Sequence, residues 1–262
     1  MHPIGICYQA YIPMRKVPDE ASEMVNQVLF GESFSVIEEI KTKNFSLIRL
    51  HHDQYEGWIN TKCIRFVSDK DFEEYSKLPA LITHDVLNFL QSETSADPML
   101  IGCGSILRLS SPSKIRNRDI EYKIPEIPLN DPSKNRKNLV NYGLKLISIP
   151  YLWGGRGSFG FDCSGLCQNL YRQVGIEIPR DASAQAIMGH PLIFIDEAQA
   201  GDLAFFDDAE GNIIHVGMIL NEDTILHASG RVKIDLIDHQ GIFSQEQNRY
   251  THSLRLLKKI VD

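Results

Sequence analysis

Cys163 stands where a glycine-rich loop meets the start of a helix. Asp162 before it is a good N-cap residue, and Leu166, Leu170, Tyr171 and Val174 after it form an apolar stripe at helical spacing that ends at Gly175. A thiol at the first turn lies against unpaired backbone N–H groups and the positive end of the helix dipole, which favours thiolate and nucleophilic character. Glycines at 154, 155, 157, 160 and 165 surround it, and glycine lets backbone approach a ligand closely. The competing assignment is a small buried hydrophobe, the commonest state of a free cysteine. Cys167, one turn deeper with no loop or cap beside it, fits that description; Cys163 does not.

A nucleophilic thiol needs a base, and the base must be held in one tautomer by a third group. Residues 213–220 (I-I-H-V-G-M-I-L) read as a strand with His215 on the face of Ile213, Gly217 and Ile219. A second run, T-I-L-H-A-S at 224–229, carries His227. A single histidine in an apolar strand is usually a hydrogen-bonded core residue. Two on adjacent strands, following a helix-start cysteine, favour catalysis. Zinc bound by Cys163, Cys167, His215 and His227 would have suitable ligand types, but C-x3-C on a helix is unusual for a structural site.

The pattern Y-x-W-G-G…G-x-D-C-S-G-L at 151–166, R-D-A-S-A-Q at 180–185, H-V-G at 215–217 and H-A-S at 227–229 resembles the NlpC-type cell-wall peptidases, papain-like cysteine hydrolases of bacterial murein. The resemblance spans about 135–262, with several separated motifs agreeing in order and spacing. It implies Cys163 as nucleophile, His215 as general base, His227 as the group that orients it, and Tyr151 beside the oxyanion. Trp153, Ser164 and Asp181 are the substrate-binding positions it suggests in this half. The implied reaction is hydrolysis of the γ-D-glutamyl link to the diamino acid of a murein stem peptide, without cofactor or metal.

The 262 residues are 43% hydrophobic and 23% charged, an ordinary globular composition. A net charge of −7 with no basic stripe argues against a nucleic-acid partner. No run approaches membrane-spanning length, and the N-terminus lacks the basic and apolar segments of a signal peptide, so a cytoplasmic, monomeric protein with no membrane partner is expected; an exported chain already freed of its leader would read the same. Five scattered cysteines (7, 63, 103, 163, 167) suggest reduced thiols.

Residues 1–68 alternate short apolar runs with turns: 4–8, 25–30, 34–39, 45–50 and 55–59. That density suggests a small barrel with Phe30 and Trp58 in its core. The segments S-E-M-V-N-Q-V-L-F-G-E and Y-E-G-W-I resemble a bacterial SH3-like domain. In relatives that cut peptides with a free amino end, such a domain closes the cleft and holds the ammonium of the terminal L-alanine. The resemblance carries that role to Glu23 and Tyr55, with Asp181; a carboxylate facing a desolvated ammonium rejects partners without that charge.

Residues 69–125 are expected to form a second, degenerate SH3-like module with helical stretches at 69–75 and 81–90 and strands near 99–102 and 105–109. Three prolines in 123–132 mark a linker, placed at 126–134, and the catalytic domain follows at 135–262. There, helices at 133–147 and 183–188 accompany strands at 203–206, 213–220, 224–229 and 232–237. The expected class is α+β: an antiparallel sheet with helices on one side, preceded by one or two small barrels. Two rival functions are a wall-binding scaffold that no longer turns over and an acyltransferase sharing the thioester chemistry.

Overall fold

The structure, a computed structural model, describes residues 2–92, 98–111, 114–117, 120–123 and 136–261. The chain divides into two compact units, Met1–Asp131 and Pro132–Asp262. The expected linker at 126–134 lies outside the described residues.

The first unit opens with seven antiparallel strands: β1 (Ile4–Ile6), β2 (Tyr11–Arg15), β3 (Met24–Leu29), β4 (Ser33–Ile40), β5 (Phe45–Leu50), β6 (Glu56–Asn60) and β7 (Arg65–Val67), in the order β3-β2-β6-β5-β4-β1-β7. Alternation sets the core: Ile12 and Met14 of β2, Phe34 and Val36 of β4 and Ile48 and Leu50 of β5 point inward, joined by Val28 and Ile59. Strand β2 was not expected, since Pro13 at its centre weakens the strand signal. Trp58 is half-buried and outside this core, a correction to its expected place.

Helix α1 (Asp69–Lys77) is capped by Ser68, whose hydroxyl accepts from the Asp71 N–H at 3.1 Å. It leads into a separate six-stranded sheet, β8 (Ala80–Ile82), β9 (Leu87–Ser92), β10 (Met99–Gly102), β11 (Ile106–Ser111), β12 (Lys114–Asn117) and β13 (Ile120–Lys123), in the order β10-β9-β13-β12-β11-β8. Residues 81–90 are therefore strand at both ends rather than helix. Spacing of Val86, Leu87, Phe89 and Leu90 fits a helical face, but Asn88 and Leu90 are buried while Leu87 and Phe89 are 46% and 57% exposed, a period of two. Phe30 packs here, with Leu90, Ile101, Leu107, Ile115 and Tyr122, instead of in the first core. The crossing is tight at Gly31, where φ is +80° and a Cβ would lie 1.9 Å from the Ile106 carbonyl oxygen.

The second unit contains α2 (Arg136–Lys145), a small hairpin of β14 (Arg156–Gly157) and β15 (Gly160–Phe161), α3 (Cys163–Gln173), the single turn α4 (Ala182–Gln185), and seven strands. These are β16 (His190–Leu192), β17 (Leu203–Asp207), β18 (Ile213–Ile219), β19 (Thr224–Ser229), β20 (Arg231–Asp238), β21 (Gly241–Ser244) and β22 (Arg249–Lys259). They run β16-β22-β17-β18-β19-β20-β21, and β21 pairs again with β22, closing six strands into a barrel. The four expected strands are present; β21 and β22, which close the ring, were not expected. Ala204, Phe206, Ile219, Ile225, Ile237, Ile242 and Leu257 form one core cluster of the barrel. The helices cover the opposite face of β18 and β19: a Cβ on Gly143 of α2 would come within 2.5 Å of Leu226 and 3.3 Å of Met218.

Candidate active site

Strand register assembles the first part of the site. Gly217 of β18 faces His227 of β19, and His227 in turn faces Lys233 of β20. His215 and Asp235 lie two residues along from those partners, so His215, His227 and Asp235 fall on one face of three neighbouring strands, each diagonal to the next. Glycine at 217 leaves the diagonal open; a Cβ there would press to 3.0 Å from that of His227. The imidazoles meet across this gap, His215 Nε2 to His227 Nδ1 at 2.9 Å, and His227 Nε2 reaches Asp235 Oδ2 at 3.1 Å. Lys233 Nζ closes the line on the same carboxylate oxygen at 2.8 Å.

This chain fixes tautomers. A carboxylate only accepts, so His227 carries its proton on Nε2 and offers a bare Nδ1, to which His215 Nε2–H donates. Burial holds both rings below the ordinary histidine range, so each is neutral. His215 is thereby left with its lone pair on Nδ1, the form a general base requires.

The candidate nucleophile, Cys163, comes from the start of α3. Asp162 caps the helix, its carboxylate accepting from Gly165 N–H at 2.7 Å and from Gly154 N–H at 2.9 Å. Arg180 grips both carboxylate oxygens and donates to the Ser164 hydroxyl at 2.8 Å; Gln185 donates to the Ser164 carbonyl at 3.0 Å. The nearby glycines serve this packing: a Cβ on Gly165 would lie 2.2 Å from the Gly155 carbonyl oxygen, and one on Gly155 2.3 Å from that of Gly160. At these two positions they let backbone meet backbone, where the sequence suggested backbone approaching a ligand.

Cys163 keeps 9% of its surface exposed, and the backbone N–H groups of Ser164 and Val216 bond to its sulfur. Val216 follows His215 in β18, so this contact ties the thiol to the strand that carries His215. The thiol is pushed up to about 11, by burial first and the Asp162 charge second, against the two N–H bonds and Arg180. Desolvation thus outweighs the helix start, and the resting pair is neutral thiol and neutral imidazole rather than the expected thiolate. Cys167 is fully buried, as expected of a core residue.

Tyr151 is anchored through its backbone, bridging Phe161 and bonding to the Gly230 carbonyl at 3.0 Å. Burial and the nearby Cys163 and Asp162 hold its hydroxyl above the ordinary tyrosine range, so it keeps a proton to donate. Trp153 is 60% exposed. Asp181 is exposed at the N-cap of α4, where its side chain makes no capping bond. The Ser164 hydroxyl donates to Asp162 at 3.3 Å and accepts from Arg180 at 2.8 Å. Glu23 and Tyr55 belong to the first unit, where Glu23 is ion-paired with Lys16 at 3.0 Å and Tyr55 packs against the first core. Sequence reasoning missed Asp235, Lys233, Arg180 and His252. The alternation of Lys233 and Asp235 beside a histidine strand was the available signal for the first two.

Acid lability follows from these burials. His215, His227 and His252 are all held below 6.5, His252 at about 4, so below 6.5 the unfolded chain binds protons that the folded one refuses. Asp235, lowered in the fold by its bonds to His227 and Lys233, acts in the same direction at lower pH. Stability is expected to be full above pH 6.5 and to fall from there toward pH 4. Urea unfolding at pH 8, 6 and 5 checks this; an unchanged midpoint contradicts it.

Comparison with known proteins places this geometry. Residues 148–253 match the NlpC/P60 family and residues 14–64 the bacterial dipeptidyl-peptidase Sh3 domain. The chain is 27% identical over 254 residues to a protein named dipeptidyl-peptidase 6 from Lysinibacillus sphaericus, covering 85% of this chain and 88% of that one. It is 36% identical over 104 residues to a gamma-D-glutamyl-L-lysine dipeptidyl-peptidase of Bacillus subtilis, covering 39% of this chain and 35% of the relative. The crystal structure of an NlpC/P60 family protein from Bacillus cereus superposes with a TM-score of 0.86 at 18% identity, covering 99% of this chain and 100% of the other. The cysteine turn and the histidine line therefore lie within an NlpC/P60 domain of papain-like α+β fold, the domain of a cysteine-peptidase family, and a bacterial SH3-like domain lies in the first half of the chain.

Proposed function

We propose that the protein hydrolyses the γ-D-glutamyl bond to the diamino acid in murein stem peptides that begin with a free L-alanine. The observation that carries the chemistry is the junction of two built parts: a helix-start sulfur bonded by the Val216 N–H, and a base on the preceding residue whose tautomer is set by His227 and Asp235. The substrate class is supported by relatives named gamma-D-glutamyl-L-lysine dipeptidyl-peptidase, including one from Bacillus cereus at 26% identity over 79% of this chain.

In this reading His215 Nδ1 takes the thiol proton as sulfur attacks the amide carbonyl. The oxyanion is met by the Cys163 N–H and the Tyr151 hydroxyl. Collapse breaks the C–N bond, and the amine of the diamino acid leaves with the proton from His215. Water, deprotonated by the same nitrogen, then resolves the thioester to a dipeptide carboxylate and free thiol. The need for a free amino end is part of the proposal, with Asp181 an exposed carboxylate available to its ammonium.

The test is product mapping with L-Ala-γ-D-Glu-L-Lys, its diaminopimelate counterpart, the N-acetylated tripeptide and intact peptidoglycan. Cleavage of the free tripeptides to L-Ala-D-Glu and the free diamino acid, with the acetylated one at least ~100-fold slower, is expected. Binding to peptidoglycan without product would overturn the reading in favour of a scaffold. A product joined to an added amine in place of the free dipeptide acid would overturn it in favour of acyl transfer.

A further inference from the structure

His252 reaches the base from the strand that closes the barrel. Its ring lies flat on His215, centroids 4.1 Å apart at 23°, and stands edge-on to His227 at 5.9 Å and to Phe206 at 5.9 Å. The Thr251 hydroxyl meets its Nδ1 at 2.9 Å. The backbone around this contact is irregular in a specific way. Strand β22 carries one extra residue at Thr251 against β21 and another at Arg255 against β17, on either side of His252. Strand β18 carries an extra residue at Ile214, next to His215. Bulges bend a strand and re-aim its side chains, and they are over-represented beside active sites. Here three of them bracket the two stacked rings.

The bonds through His227 and Asp235 fix which nitrogen of His215 carries the proton. They hold the ring by one atom only, Nε2, and leave rotation about that contact open. A flat neighbour against the ring face removes that freedom, and it keeps water from the face it covers.

Resting on the peptidase reading above, we infer that His252 is a positioning residue: its stacked ring holds the His215 imidazole in the plane from which Nδ1 meets the Cys163 thiol and shields that face from solvent. The groups that face His252 are His215 from β18, His227 from β19, Lys233 and Asp235 from β20, the Thr251 hydroxyl from its own strand and the apolar Phe206 from β17. Burial first, then the His227 imidazole and Lys233, oppose a proton on it and Asp235 favours one, so it too is neutral above about 4 and acts by its shape.

The experiment compares His252→Ala, which removes the ring, with His252→Phe, which keeps a flat ring and cannot titrate, in the full chain on the free tripeptide. Alanine is expected to lower kcat at least ~10-fold with KM within about twofold, since orientation and not ground-state binding is lost. Water reaching His215 stabilises its imidazolium, so the acid limb of kcat/KM should move to higher pH. Phenylalanine should keep most of kcat and the wild-type acid limb. If alanine fails to fold, His252→Leu, which fills the space without a flat face, takes its place with the same expectation. Wild-type kcat and acid limb in the alanine variant, or an equal loss in the phenylalanine variant, would overturn the inference. If the wild-type protein does not cleave the tripeptide, the substrate reading fails separately. Iodoacetamide alkylation of Cys163, followed by peptide mass spectrometry against pH, then carries the same comparison: an upward shift in the alanine variant alone supports the role, and superimposed profiles refute it.

Discussion

Replacing Cys163 with alanine is expected to reduce hydrolysis of the tripeptide by at least ~10⁴-fold while the far-ultraviolet circular dichroism and urea midpoint stay close to wild type. The size follows from the site: among the described residues, Cys163 is the thiol that meets the strand of the base, through the Val216 N–H. Without sulfur, the proposed first step has no thiol proton for His215 to take, and only the proposed oxyanion contacts and binding remain. The fold should survive because the α3 start is held by Asp162, Arg180 and Gln185 through groups other than the thiol. Cys167→Ala is the matched control, one turn deeper and fully buried, and should lose stability but keep kcat. Equal loss of kcat in both variants would mean that the helix, not the sulfur, had been damaged. Turnover persisting in purified Cys163→Ala would place the chemistry elsewhere.

The parts of this site that could be read from the sequence are those carried by one local segment. Cys163, its cap Asp162 and the apolar stripe behind it form a single stretch, and α3 begins at the expected residue. His215 and His227 were legible because alternation within β18 and β19 gives each a face, and a short turn between them makes the strands neighbours. Asp235 and His252 were not, because their positions depend on register and closure. Asp235 joins the line only because His227 pairs with Lys233, and a slip of one residue would turn it to the other face. His252 joins because β21 pairs with β22 and bulges aim it inward, none of which leaves a local signature. In the first unit, residues 81–90 show the converse, apolar spacing compatible with a helix that the sheet resolved as strand. Phe30 was recognised as core but assigned to the wrong one, since it sits in the turn between β3 and β4 and its ring packs among residues of the second sheet.

Arg180→Met should be the most damaging change away from the reacting atoms. Arg180 and Asp162 are both buried, and the guanidinium meets both carboxylate oxygens and the Ser164 hydroxyl. Methionine fills much of the space but leaves the carboxylate with two backbone N–H groups, the Ser164 hydroxyl and no countercharge, and breaking a buried pair from one side costs about 3–5 kcal/mol. The thiol responds as well. Arg180 lowers the Cys163 pKa and Asp162 raises it, so losing the cation alone sends the thiol further up. Alkylation of Cys163 at pH 8 should slow below wild type, and kcat should fall with it. Adding Asp162→Asn removes the stranded charge while the side-chain oxygen can still cap α3. The double variant should then recover part of the lost stability, and its thiol should react faster than in Arg180→Met alone. A double-mutant cycle on urea midpoints and alkylation rates reads both effects. Additive losses would mean that the pair contributes no coupling, and that the turn bearing Cys163 is held by its backbone bonds and glycine packing alone.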